Sequence, residues 1–125
     1  MKKEFISRWT LSKPLHLLEN DKKYKKYNKQ LKKHGFCDSE TWDFRSVISE
    51  FILPRLKRFK EVTNGYPPEL TFKEWKNILD KMIFAFEWVS IYNNLDLNQK
   101  EINDGFKKYN EGMDLFSKYF MNLWW

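Results

Sequence analysis

The chain has 125 residues, 42% of them hydrophobic and 32% charged, which amounts to one domain of foldable chain and excludes wholesale disorder. The single cysteine, Cys37, excludes an internal disulfide framework and points to a reducing cytoplasm. The net charge is +6, and it is placed unevenly: residues 1–36 hold eleven Lys/Arg against three Asp/Glu, while residues 37–70 and 71–125 each balance to −1.

A first third of that sign attracts anions such as phosphates. No unbroken apolar run follows Met1-Lys2-Lys3-Glu4-Phe5, so no signal peptide is expected. The longest uncharged stretch, Trp88–Leu95, is far short of the roughly 20 residues that span a bilayer. The expectation is a cytoplasmic protein without membrane contact. Only four Gly and four Pro interrupt the chain, whereas 11 Phe, 6 Tyr and 6 Trp make it unusually aromatic.

In chain order, residues 1–20 read as an irregular arm, because Pro14 favours an extended Lys13 and no period persists. From Asp21 to Lys33 the chain is strongly basic, and Tyr24, Tyr27 and Leu31 make one narrow apolar stripe at helical spacing. Lys32, Lys33 and His34 before Gly35 are an end-of-helix pattern, with cations in the last turn and a glycine beyond it. Asp38 or Ser39 is placed to cap a second helix, along which Phe44, Val47, Ile48, Phe51 and Ile52 fall three and four apart. Pro54 interrupts that pattern at a cost of about 3 kcal/mol in a helix interior. Leu56 and Phe59 nevertheless continue the spacing, which leaves one kinked helix or two short ones. Asn64-Gly65-Tyr66-Pro67-Pro68 makes a stiff loop.

Thr71 and Glu74 have the spacing of a capping box, with Leu70 and Trp75 as its hydrophobic staple. Trp75, Ile78, Leu79, Met82, Ile83, Phe86 and Val89 form one apolar face, and Phe84, Trp88 and Ile91 a second. A helix apolar on two sides belongs at the centre of a bundle or in an oligomer. A last helix is predicted from about Asn98, with Gly105 and Gly112 seven apart on one side, where a neighbouring helix can come close. The double tryptophan Trp124-Trp125 is expected to pack against the core or another subunit. The whole reads as a single all-α domain, 1–125: an irregular arm over 1–20, then a compact bundle of about four helices over 21–125, one of them kinked at Pro54.

No catalytic pattern stands out. His16 and His34 lack zinc-like spacing to other ligands, so no metal is expected, and no cofactor either. All four glycines are isolated, which excludes a Gly-rich phosphate loop. With nineteen Lys against four Arg, the arginines draw attention, because a planar guanidinium grips phosphate in two places. Arg55 and Arg58 are one helical turn apart and, with Lys60, form a cationic ridge next to Trp42 and Arg45 in the ligand-site reading. The same ridge can equally be salt-bridged to Glu50, Glu61 or another helix. Glu87, the only charge between Lys81 and Asp96, sits between Phe86 and Trp88 and needs a partner if it is buried. A separate candidate face joins Lys22, Lys23, Tyr24, Lys26, Tyr27 and Lys29, where lysines could hold a nucleic-acid backbone and rings stack on bases.

The run Asp38-Ser39-Glu40-Thr41-Trp42 through Phe51-Ile52-Leu53-Pro54-Arg55-Leu56-Lys57-Arg58-Phe59-Lys60, continued by Tyr66-Pro67-Pro68, Thr71–Trp75 and Ile78–Glu87, resembles a family of small, mostly uncharacterised bacteriophage proteins. The resemblance covers residues 34–92 and implies a phage or prophage origin in an infected bacterial host, not a chemistry. Small phage accessory proteins often neutralise host defences. The leading expectation is therefore an anti-defence protein that sequesters a small phosphorylated, nucleotide-type signal without turnover. Its site would be Trp42, Arg45, Arg55, Arg58, Lys60, Glu87 and Trp88, in a protein expected to be a homo-oligomer. The rival expectation is a macromolecule-binding accessory protein that contacts nucleic acid or an acidic host protein through Lys22–Lys33.

Overall fold

The computed structural model describes residues 24–93 and 95–125, with Tyr24 described by its backbone alone. The arm expected over residues 1–20 and the side chains of Lys22 and Lys23 lie outside the described residues. Among the described residues the fold is all-α, with α1 (Tyr24–His34), α2 (Ser39–Trp42), α3 (Phe44–Val62), α4 (Phe72–Ile91), α5 (Gln99–Lys118) and a 3-10 turn over Phe120–Asn122. The chain divides into two compact units, Met1–Val47 and Ile48–Trp125, and the division falls inside α3.

In the first unit α1 stops where the glycine pattern says it should. Gly35 takes φ 82°, a conformation that a residue with a Cβ rarely adopts, and its N–H donates to the Leu31 carbonyl at 2.8 Å. Gln30 then ties α1 to the next turn: its side-chain amide donates to Asp38 Oδ2 at 2.9 Å and its Oε1 accepts from the Asp38 N–H at 2.8 Å. Glu40 is almost wholly buried because its carboxylate accepts the Cys37 N–H at 2.5 Å. The Cys37 thiol donates to the Tyr27 carbonyl at 3.0 Å.

The second helix of the sequence reading is in fact two. The first is the four-residue α2, and Asp43 leaves helical geometry at φ −121°, ψ 68°. The physical reason is that Asp43 begins a helix of its own: its carbonyl accepts the N–H groups of Ser46 and Val47, and Oδ2 takes the Ser46 hydroxyl at 2.7 Å. At Pro54 the opposite holds, and α3 runs through it as one helix. Pro54 and Glu50 are both exposed, so water can take the Glu50 carbonyl that the missing N–H leaves unpaired.

In the second unit the expected capping box is formed, and a second one with it. Thr71 Oγ1 accepts the Glu74 N–H at 3.1 Å, and Glu74 Oε1 accepts the Thr71 N–H at 3.0 Å. Asn98 and Glu101 make the same exchange at the start of α5. The core gathers Leu56 from α3, Trp75, Leu79, Met82, Ile83 and Phe86 from α4, and Tyr119 just beyond α5. Trp75 meets Tyr119 edge-on at 5.6 Å, and Phe86 meets Phe116 edge-on at 5.1 Å.

Helices α4 and α5 pack closely because two glycines let them. A Cβ on Gly112 would stand 2.3 Å from the Lys81 carbonyl oxygen, and one on Gly105 would stand 2.0 Å from the Trp88 ring. Lys81 and Trp88 are seven residues on in one helix while Gly112 and Gly105 are seven back in the other, so the pair is antiparallel and in register over two turns. No helix among the described residues is long and apolar enough to cross a membrane.

Candidate functional site

Helix α1 carries five lysines, Lys25, Lys26, Lys29, Lys32 and Lys33, and no carboxylate. At about 100° of turn per residue, all five fall within an arc of about 120°. Leu31, opposite them, is buried, and Tyr27 beside it is half-buried; all five lysines are exposed. Tyr27 and Leu31 thus hold the helix down and leave one cationic face outward. Lys25, Lys26, Lys29 and Lys33 make no ion pair among the described residues.

Tyr27 lies on the packed side and is not interleaved with the lysines in space, while Lys25, Lys32 and Lys33 join Lys26 and Lys29. The signal for this lay in the 3.6-residue period applied to the lysines rather than to the tyrosines alone.

Trp42 and Arg45 belong to the same first unit. Trp42 is 90% exposed, and with Thr41, Asp43, Phe44 and Arg45 it lines an open surface concavity of about 620 Å³. Arg45 Nε stands 3.4 Å from Asp43 Oδ1. The Ser46 hydroxyl, with Arg45 adding to it, holds the Asp43 carboxyl below the usual carboxylate range. A flat ring over Trp42 with an anion beside Arg45 is the chemistry this concavity offers.

The remaining predicted site residues lie in the second unit, and each is engaged there. Arg55 donates to the Phe51 carbonyl at 2.9 Å and stacks its guanidinium 3.9 Å above the Phe51 ring. Arg58 pairs with Glu61 at 2.8 Å and Lys60 with Asp80 at 2.5 Å. Lys76 donates to the Lys60 carbonyl. The cationic ridge is therefore laced to carboxylates on α3 and α4. Glu87 is half-buried and finds its partner in Lys57 of α3, at 3.2 Å. Trp88 is a core residue, stacked between Phe84 and Tyr92 and edge-on to Phe106. Its indole Nε1 has no hydrogen-bond partner among the described residues.

Protein-family models, curated proteins and solved structures were each compared with the chain, and none of them matches it.

Proposed function

We propose that this chain is a nucleic-acid-binding accessory protein that holds phosphates along α1. The observation that carries the reading is the arc of five exposed lysines on a helix without a single carboxylate. The contrast within the molecule supports it, because Lys57, Arg58, Lys60 and Lys81 are all matched to acids while most of the α1 lysines are not. Lysine rather than arginine on that face favours backbone contact over base readout, since bidentate arginine is the usual reader of guanine. The exposed Trp42 adds a ring on which a base can stack, the usual companion of a cationic track for single strands.

The test is the salt dependence of binding to a labelled single-stranded oligonucleotide. With Lys25, Lys26, Lys29 and Lys33 engaged, log affinity should fall against log salt with a slope of about −2.8, or roughly 50-fold for a four-fold rise in salt. Replacing Lys25, Lys29 and Lys33 by Gln together should flatten that slope by about 2 while the helical circular dichroism is unchanged. An unchanged slope in the triple variant would falsify the assignment to α1.

A second reading, sequestration of a small phosphorylated nucleotide-type signal by a phage anti-defence protein, is supported by the concavity at Trp42 and Arg45. A nucleotide held by one ring and one guanidinium loses little affinity with salt. Replacing Trp42 by Ala would then abolish the thermal shift given by that nucleotide, and the α1 lysines would be indifferent. The two readings thus separate on which residues move which curve.

A further inference from the structure

The second unit has an apolar groove between α3 and the end of α5, walled by Phe51, Ile52, Phe59, Phe116, Phe120 and Leu123. Its open volume is about 270 Å³, which is below the roughly 300–1,000 Å³ of small-molecule pockets and suits one large side chain. The one charged group at its wall, Arg55, is already committed to Phe51. Next in sequence to the groove residues Phe120 and Leu123 come side chains of the kind it would accept: Met121 is 82% exposed, Trp124 75% and Trp125 68%, and Phe120 itself is 56% exposed.

We propose that this edge is the interface of a homodimer, in which the Trp124-Trp125 pair of each copy covers the groove between α3 and α5 of the other and one of the two indoles enters it. Three observations carry the choice of a second copy as occupant. The knob and the hole lie next to each other on one chain, which is what a two-fold, self-complementary contact requires. The knob is uncharged and the hole carries one charge, Arg55, held on the Phe51 ring and carbonyl, so copies of this basic protein meet here on mostly apolar surface. The area is that of a small interface: at about 150–250 Å² per large side chain, the exposed parts of these four residues supply roughly 500 Å², and with the groove walls they approach the ~600 Å² per partner at which stable interfaces begin. This contact is independent of the nucleic-acid reading, which rests on the first unit.

Sedimentation velocity of the full chain tests it. The wild type should sediment at twice its 15.5 kDa chain mass at concentrations up to about 100 µM, above the micromolar end of affinities for interfaces of this size. Trp124→Ser with Trp125→Ser should be monomeric, and so should Phe120→Glu, which charges the groove mouth; both change exposed positions and should keep the wild-type circular dichroism. Mixing the two variants should restore part of the dimer, because the first keeps an intact groove and the second intact tryptophans. A monomeric wild type overturns the proposal, as does a dimer that survives both variants. A mixture that stays monomeric overturns the exchange of tryptophan into groove.

Discussion

At Gly112 the cost of one methyl group can be read from the packing. An added Cβ would press on the Lys81 carbonyl, which is backbone and has nowhere to go, and on the Ala85 side chain at 2.8 Å. Overpacking of this kind costs about 1–3 kcal/mol, whereas Gly to Ala in an exposed helix gains about 1 kcal/mol of propensity. Gly112→Ala should therefore lower the unfolding midpoint by several degrees, and Gly105→Ala should do so by displacing the Trp88 indole. Gly65→Ala, with nothing within 4 Å of its added carbon, should be neutral or slightly stabilising. A rise in midpoint for Gly112→Ala would contradict the close α4–α5 contact. The glycines were legible in the sequence as two small residues seven apart. Trp88 was less so, because an indole that covers a glycine and an indole that awaits a ligand have the same spacing along a helix.

Cys37 makes a second prediction at this scale. Burial first, then the carboxylates of Glu40 and Asp38, push its thiol up from 9.0 to about 11. The folded state therefore keeps the proton that the unfolded chain releases. The stability this contributes is whole below about pH 9 and is lost as pH rises towards 11. Alkylation by iodoacetamide should be negligible at pH 8.5 and accelerate only above about pH 10, or on unfolding. Ready modification at pH 8.5 in the folded protein would mean that the thiol is neither buried nor raised.

Among the elements, α4 shows how far local signals reach. Its capping box was readable from Thr71 and Glu74, and both hydrogen bonds of the box are present. Thr71→Ala should cost about 1 kcal/mol, and Thr71→Ser should recover most of it. The Thr71 backbone N–H, with the hydroxyl adding to it, holds the Glu74 carboxyl below its ordinary value. Its contribution is therefore present above about pH 4.5 and fades as pH falls through the lowered value, so the Thr71→Ala deficit should shrink in acid. A deficit that is constant down to pH 2 would separate the threonine from the carboxylate.

Elsewhere the local signals competed. Asp38, Ser39 and Asp43 can all begin a helix, and spacing alone could not show that the break falls at Asp43, where the carboxylate finds the Ser46 hydroxyl. Pro54 is the mirror case, since its penalty depends on whether water reaches the Glu50 carbonyl, and exposure belongs to the folded molecule. The same limit hid the fate of the arginines, as the acids that meet Arg58 and Lys60 are Glu61 on the same helix and Asp80 on the next.

Across the whole molecule, charge and apolar surface are divided between the units. Residues 1–47 hold twelve Lys/Arg against six Asp/Glu, and residues 48–125 hold eleven against eleven. The entire net charge of +6 thus belongs to the first unit, while the uncharged edge of Phe120, Met121, Trp124 and Trp125 belongs to the second. Binding driven by counterion release weakens steeply with salt, whereas burial of apolar surface does not. Raising salt from about 50 to 500 mM should therefore release the oligonucleotide and leave the sedimenting mass unchanged. The variants should be equally separable. Trp124→Ser with Trp125→Ser should halve the mass and keep the slope of log affinity against log salt, and the triple lysine variant should flatten the slope and keep the mass. A dimer that dissociates in salt would place ion pairs, not tryptophans, at its centre, and a salt slope that changes with the tryptophan variant would show that the two surfaces are one.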